Sequence, residues 1–426
     1  QRVAIVSEKT EFYPALLLAL WRIGAIAIPL SEKFPRVYLN RILSRLNVNC
    51  ILTDRCRRKK GIKTVTINHR FFQQQTRGYS RSSSVQLTAK ATIILTSGST
   101  KEPRGVLHVY GSHYYSAIAA NLNLALKKYD RWMLSLPLYH VGGIGILFRS
   151  MIAGATIIIP DKTATLTENI NIFQPTHLSL IPTQLKQLLK SMPGINSLKG
   201  VLLGGEPIPR QVIKESVAKK IPILPTYGMT EMASQITAVT VRPPRENFYT
   251  CGKPLKNNKV KINTAKEIYV QGPGLFTGYV NGTKISRPFT RDGWFKTGDR
   301  GYFDPSGNLI IDGRQDNCFI SGGENIQPEE IEATLILHPA ILSAIVVPDT
   351  HPVYGFRPVA FVKIAAGKKL KRAELDNFLA QKLPKFKIPD RFYLLPKIPG
   401  FKKLKISRPE LKKILYGKRK RLTQVS

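Results

Sequence analysis

The stretch Thr96-Ser97-Gly98-Ser99-Thr100-Lys101-Glu102-Pro103-Arg104-Gly105 directly follows the apolar run Ala91 to Leu95. It reads as a strand opening into a hydroxyl-rich loop. Four hydroxyl side chains and the permissive backbone at Gly98 supply donors that can converge on one anion, and no negative side chain intervenes before Glu102. The chemistry this suits is phosphate binding. The same composition also fits an ordinary connecting loop, because Ser, Thr, Gly and Pro cluster wherever the chain turns. It is not the common P-loop, since no string of Gly, four residues and Gly-Lys-Ser/Thr occurs in the chain.

Four further strings carry candidate chemistry. In Thr226-Tyr227-Gly228-Met229-Thr230-Glu231 an aromatic face precedes a glycine and the run ends in a carboxylate, which would suit a base-stacking tyrosine and a magnesium ligand, or equally a strand end and a helix cap. In Gly293-Trp294-Phe295-Lys296-Thr297-Gly298-Asp299 a tryptophan expected to be buried stands close to an acid able to accept ribose hydroxyls. The run Gly313-Arg314-Gln315-Asp316 leads into Ile320-Ser321-Gly322-Gly323-Glu324 and then into a helix start at Pro328, with acids in the first turn. Lys405-Ile406-Ser407-Arg408 lies in a segment so basic that a solvated role is the plain expectation.

The elements that must position these residues are legible as alternation. Phe12 to Ile23, Val37 to Leu46, Gln184 to Ser191 and Arg210 to Ala218 have helical spacing, and Ala25 to Pro29, Thr176 to Ile181 and Gly200 to Leu203 read as buried strands. The order predicts an α/β fold: a large N-terminal domain of doubly wound, mostly parallel sheets. From about 240 to 312, short glycine-punctuated strands (Lys259 to Ile262, Glu267 to Val270, Gly301 to Phe303, Leu309 to Ile311) predict a small β-barrel-like subdomain. Pro328 to Leu337 and Arg372 to Leu383 as helices, with Ile341 to Val347 and Val359 to Ile364 as strands, then predict a small mobile α+β C-terminal domain. The expected division is 1–314, a hinge at 315–317, 318–415, and a basic tail at 416–426. The tail and Arg77 to Ser84 are expected to be poorly ordered.

With 426 residues and 43% hydrophobic content the chain is of enzyme size. Its apolar runs are too short to cross a bilayer, and no signal peptide is visible. Cys50, Cys56, Cys251 and Cys318 lack the spacing of a zinc site and fit free thiols in a reducing compartment. The formal charge of +38 would attract polyanions, but without zinc-finger spacing, basic-zipper heptads or a ribonucleoprotein motif it predicts no specific nucleic-acid partner. The chain opens on Gln1 with Arg2 to Val6 already reading as a core strand, which suggests that a natural beginning is missing.

Taken in order, these strings resemble the adenylate-forming acyl-CoA ligases over nearly the whole chain. Leu134-Ser135-Leu136-Pro137-Leu138-Tyr139-His140-Val141-Gly142-Gly143, the arginine of Ile146-Leu147-Phe148-Arg149, and the Lys405 to Arg408 ending are most similar to the o-succinylbenzoate-CoA ligases of that superfamily. The resemblance implies a two-step use of ATP, Mg²⁺ and coenzyme A in menaquinone or phylloquinone synthesis. It implies Thr96, Ser97, Gly98, Ser99 and Thr100 at the β- and γ-phosphates, and Gly204, Gly205, Glu206, Pro207, Tyr227, Gly228, Met229 and Thr230 around the nucleotide. It further implies Glu231 with Thr100 at the magnesium, Asp299 and Arg314 at the ribose, Lys405 at the α-phosphate and acid carboxylate, Asp316 as the hinge, and Gly322 and Gly323 at the pantetheine channel. His140, Arg149 and Ser234 fall to the acid, and His140 counts with Lys405 and Glu231 among the catalytic residues that the resemblance implies. Arg149 sits in the apolar stretch Ile144 to Ile159, where it would either snorkel to the surface or meet the second carboxylate of a dicarboxylic acid.

Three departures from the family pattern stand out. Lys101 occupies the position of a usual glycine, Arg104 that of a usual lysine, and Leu404 that of the glycine often found before the catalytic lysine, which makes Lys402 and Lys403 rivals for its role. The expected location is the cytoplasm or a plastid stroma. The oligomeric state is left open, a homo-oligomer included.

Overall fold

The computed structural model describes residues 1–8, 11–54, 61–68, 85–96, 104–191, 197–241, 243–321, 324–368, 370–395, 408–417 and 422–425. Among the described residues, two large sheets face each other across a layer of helices. The first has eight strands in the spatial order Lys284–Ser286, Gly278–Asn281, Arg104–Val109, Lys90–Thr96, Ile26–Pro29, Arg2–Val6, Cys50–Thr53 and Lys63–Thr66. Its last five strands run parallel, and the first three are added antiparallel. The second sheet has seven: Lys253–Pro254, Ser234–Ala238, Ile223–Met229, Gly200–Leu203, His177–Leu180, Arg131–Met133 and Thr156–Ile158, with the last five parallel.

The helices Phe12–Arg22, Tyr110–Leu124 and Val141–Ala153 lie between these sheets. Leu17, Ala117 and Phe148 from the helices share one core with Ile5 and Ile94 of the first sheet and Leu202 and Leu224 of the second. Both faces of the parallel strands are covered, which is why they read as continuous apolar runs. The amphipathic helices Pro182–Ser191 and Arg210–Ala218 cover the outer face of the second sheet through Leu185, Leu188, Val212 and Ile213.

The stretch expected to form a barrel-like subdomain makes a four-stranded antiparallel sheet, Lys259–Ile262, Glu267–Gln271, Phe295–Phe303 and Leu309–Arg314. Its hairpin Gly278 to Ser286 leaves to extend the first sheet. The strand Phe295–Phe303 is longer than the expected Gly301 to Phe303, because the irregularity between Arg300 and Gly301 is absorbed as a bulge. Trp294 is only half-buried, with Lys261 Nζ 4.4 Å over its ring.

Beyond a 3₁₀ turn at Gln315–Asn317, the long antiparallel pair Ile341–His351 and Gly355–Ile364 packs against the helices Pro328–Ile336 and Arg372–Ala380 around Ile331, Val346, Val362 and Leu375. The end of the basic tail differs from expectation. Gln424 bridges to Tyr393 and Val425 is buried in this core, because an apolar side chain there completes the edge of the strand Arg391–Leu394.

Candidate active site

In the third sheet, strand pairing sets Asp299 directly opposite Arg314. Arg314 Nη1 donates to Asp299 Oδ1 at 3.1 Å and to the Thr297 carbonyl at 3.0 Å, and Nη2 donates to Asp316 Oδ2 at 3.3 Å. The Tyr227 hydroxyl donates to Asp299 Oδ2 at 2.6 Å. Gly298 makes room for this arrangement: it sits at φ +76°, and a Cβ there would lie 3.0 Å from Arg314 Nη2. Burial pushes the Asp299 carboxyl up against the pull of Arg314 and Tyr227. Burial also opposes the Arg314 charge, but Asp299 and Asp316 prevail and its pKa is raised. Gly204 to Pro207 follow the neighbouring strand, and a Cβ on Gly204 would meet the Thr226 carbonyl at 2.7 Å, so this segment borders Tyr227.

The strand Ile223–Met229 runs into a 3₁₀ turn at Thr230–Met232 that carries the buried Glu231. The turn's backbone is pinned: Phe276 N–H donates to the Glu231 carbonyl at 2.8 Å, and Ser116 Oγ donates to the Ala233 carbonyl at 3.0 Å. Tyr279 holds the side chain itself, its hydroxyl donating to Glu231 Oε1 at 2.8 Å. Burial pushes the Glu231 carboxyl up, and Arg314 and Asp299 lie within electrostatic reach of it. A hard, desolvated oxygen donor of this kind fits Mg²⁺. Among the described residues no group of three or more His, Cys, Asp or Glu could hold a metal by itself. The fit is therefore to an ion shared with nucleotide phosphates, as Mg²⁺ sites commonly are.

Three residues beyond Glu231, Ser234 accepts a hydrogen bond from Arg149 Nη2 at 2.8 Å. Arg149 does not snorkel. It is 1% exposed, on the inward face of the helix Val141–Ala153, with its guanidinium 5.5 Å from the Trp132 ring. Its Nε is buried with no hydrogen-bond partner among the described residues. Gly145, one turn earlier, opens the space, since a Cβ there would lie 3.1 Å from Arg149 Nη2. Burial lowers the Arg149 pKa to about 10. His140 is the exposed N-cap of the same helix, with its ring 4.8 Å from that of Tyr139. Nine helical positions separate it from Arg149, roughly 13 Å along the axis, so the two are not neighbours.

Thr96 ends the strand Lys90–Thr96, opposite Arg104. Ser97, Gly98, Ser99, Thr100 and Lys101 lie outside the described residues, as do Gly322, Gly323, Lys402, Lys403, Leu404, Lys405, Cys56 and the run Arg77 to Ser84. The structure thus brings together Tyr227, Glu231, Ser234, Asp299, Arg314 and Arg149. Sequence reading missed Tyr279 and Ser116, which reach the turn from the first sheet and from the helix Tyr110–Leu124 and stand in no local pattern with Glu231.

Two mixed sheets with a helical layer between them, a third sheet carrying the Asp299–Arg314 pair, and a small following α+β unit match known proteins closely. The chain belongs to the AMP-binding enzyme family: that family's model matches residues 1–280, and the model of the AMP-binding enzyme C-terminal domain matches residues 330–402. Within it, the chain is 34% identical to the 2-succinylbenzoate–CoA ligase of Bacillus cytotoxicus, over 98% of this chain and 89% of that one. It is 35% identical to the Bacillus subtilis enzyme of the same name, over 78% and 71%. The solved structure of o-succinylbenzoate CoA synthetase from Bacillus subtilis with its acyl-adenylate intermediate superposes with a TM-score of 0.89 at 31% identity, covering 97% of this chain and 88% of that one. The same enzyme with ATP and magnesium ion gives 0.88 at 31% identity, over 97% and 88%.

Proposed function

We propose that the protein is an AMP-forming acid–CoA ligase that converts o-succinylbenzoate to o-succinylbenzoyl-CoA, in menaquinone or phylloquinone synthesis. In the first step an acid carboxylate attacks the α-phosphorus of ATP and pyrophosphate leaves; in the second the coenzyme A thiol attacks the acyl carbon and AMP leaves. Both steps place new negative charge near phosphorus or carbonyl oxygen, so positioned cations and donors are the main catalytic devices.

Asp299 accepts the ribose hydroxyls and is itself oriented by Arg314 and Tyr227. Gly204, Gly205, Glu206, Pro207, Gly228, Met229 and Thr230 border the base with Tyr227, and Thr96 to Thr100 take the terminal phosphates. Glu231, with Thr100, would hold Mg²⁺, which supplies charge neutralisation on the phosphates when bound. Lys405 bridges the α-phosphate and the acid carboxylate. His140 stands toward the mouth of the acid site. The unit after Asp316 turns between the half-reactions, withdrawing Lys405 and bringing Gly322 and Gly323 toward the pantetheine.

The observation that carries the choice of acid is Arg149. A fully buried guanidinium that makes one hydrogen bond among the described residues, to Ser234, and whose Nε has no partner among them, is costly to desolvate and suited to a second carboxylate that is recognised without reacting. The relatives named for this substrate support the same choice. The reading carries a cytoplasmic or plastid-stromal location; among the described residues no helix is long and apolar enough to cross a membrane.

Pyrophosphate release and acyl-CoA formation, measured over a panel of mono- and dicarboxylic acids, test the proposal. The highest kcat/KM is expected for o-succinylbenzoate, and a preference for a monocarboxylic aryl or medium-chain acid would overturn the substrate assignment. Lys405→Ala should abolish adenylate formation while sparing thioesterification of supplied acyl-adenylate. A larger loss in Lys402→Ala or Lys403→Ala would reassign the lysine.

A further inference from the structure

Two fully buried histidines lie beside the site without a part in the chemistry above. His108 is on the strand Arg104–Val109 and Thr92 sits opposite it on Lys90–Thr96, the two strands that flank the proposed phosphate loop. His108 Nε2 is 2.7 Å from the Thr230 carbonyl oxygen. A carbonyl cannot donate, so His108 carries its proton on Nε2 and leaves Nδ1 as an acceptor. Thr92 Oγ1 is 3.5 Å from that Nδ1 and 2.8 Å from His113 Nε2.

One assignment satisfies all three contacts. His113 Nε2–H donates to Thr92 Oγ1, the Thr92 hydroxyl turns toward His108 Nδ1, and His108 Nε2–H donates to Thr230. The remaining atom, His113 Nδ1, is buried without a partner among the described residues; in this arrangement it is a lone pair rather than an N–H, the less costly group to leave unpaired. His113 is stacked on Phe148, the residue before Arg149, at 5.0 Å. Burial lowers the His108 pKa to about 4 and that of His113 well below its ordinary value, which keeps both rings neutral and the order of donors fixed.

We propose that the chain His113–Thr92–His108 clamps the two strands flanking the phosphate loop to the turn bearing Glu231, and that His108 is a positioning residue for magnesium-dependent ATP binding. The Thr230 carbonyl also accepts Ala233 N–H at 3.1 Å, the bond that closes the turn. His108 therefore fixes the peptide immediately before Glu231, whereas Tyr279 fixes only the carboxylate. The proposal rests on the reading of Glu231 as a magnesium ligand.

The test is calorimetric titration of ATP into the full chain at graded Mg²⁺, without acid or coenzyme A. His108→Leu should raise the Mg²⁺ needed for half-maximal ATP binding by about tenfold, as loss of support behind a metal ligand typically does. His108→Gln, whose amide N–H can reach the same carbonyl, should stay within about twofold. Thr92→Val, close to isosteric, should raise the requirement by about threefold and, in ¹⁵N-histidine spectra, mix the His108 tautomers that are pure Nε2–H in the parent. Glu231→Gln is the control. If it raises the Mg²⁺ requirement while folded His108→Leu does not, the clamp is overturned and the Glu231 reading stands. If neither variant changes it, both fail. Should His108→Leu not fold, a parental Mg²⁺ requirement in Thr92→Val overturns the clamp.

Discussion

Arg314 and Arg149 both lie over a glycine that leaves space for a guanidinium, yet they are built to opposite ends. Arg314 meets Asp299, Asp316 and the Thr297 carbonyl, and Asp299 in turn has Tyr227. The Asp299–Arg314 cluster is closed on itself through its own hydrogen bonds. Among the described residues Arg149 has one neutral hydroxyl, an aromatic face and an Nε without a partner. The difference separates a carboxylate held in a fixed orientation from a buried guanidinium left largely unmet. Stability and affinity are aligned in the first and opposed in the second.

The largest effect that sharpens this contrast is on nucleotide use. Asp299→Asn removes the anion that orders Arg314 and would accept the ribose, and kcat/KM for ATP should fall by about a hundredfold or more, with the acid's KM little changed. Steady-state kinetics with each substrate varied in turn reads both, and an equal loss on the acid side would dissolve the distinction. Next, Arg149→Ala should lower kcat/KM for o-succinylbenzoate by roughly 1.5 to 3 kcal/mol while leaving ATP, coenzyme A and benzoate indifferent. Equal effects on mono- and dicarboxylates would mean that Arg149 serves packing alone.

Stability provides a smaller but more direct reading. Arg149→Met should raise the unfolding free energy of the ligand-free protein by about 1 kcal/mol, because an under-satisfied buried cation is replaced by an apolar side chain. Arg314→Met should lower it by about 2 kcal/mol, since Asp299 is left buried without its cation. Thermal unfolding of the two variants side by side decides the matter, and the same sign for both would break the comparison.

The weakest expected signal is in pH. His177 lies 5.4 Å from the Trp132 ring that also faces Arg149, and burial lowers its pKa from 6.5 to about 4. Its contribution to stability is complete above about pH 6.5 and is lost as pH falls toward 4, because the unfolded chain takes up the proton first. Asp299, with a raised carboxyl, has the opposite sign: its contribution is greatest below its ordinary value of 3.8 and declines as pH rises through the folded value. His177→Gln should flatten the fall of Tm between pH 6.5 and 4, and Asp299→Asn should steepen it.

Much of the frame was legible in the sequence because it is local. Gly200–Leu203 and Arg210–Ala218 have the bounds expected from an apolar run and from helical spacing. Asp299 and Arg314 were singled out from separate strings, and antiparallel register supplied their pairing. What stayed hidden depends on contacts between distant segments. Tyr279 is 48 residues from the carboxylate it holds and His108 is 122 from the carbonyl it meets, and neither distance leaves a periodic trace. Trp294 shows the reverse error: aromatic type suggested burial, but the turn at Thr290 to Gly293 leaves its ring half-open beneath Lys261. Arg149 was caught between two readings, and only packing could choose, since Gly145 and Trp132 together decide that the side chain points inward.

The strand Gly278–Asn281 that borders Arg104–Val109 has a consequence for the order in which the molecule can be made. The first sheet begins with Arg2–Val6, yet the antiparallel partner of Arg104–Val109 emerges from the ribosome some 170 residues after that strand. Arg2 itself donates to the carbonyl of Gly282. Throughout that interval Arg104–Val109, whose Val106 and Leu107 are fully buried in the finished protein, presents an open edge. Nascent chains or fragments that end before Gly278 therefore carry a template for intermolecular pairing, and release of residues 278–286 is the event that seals it.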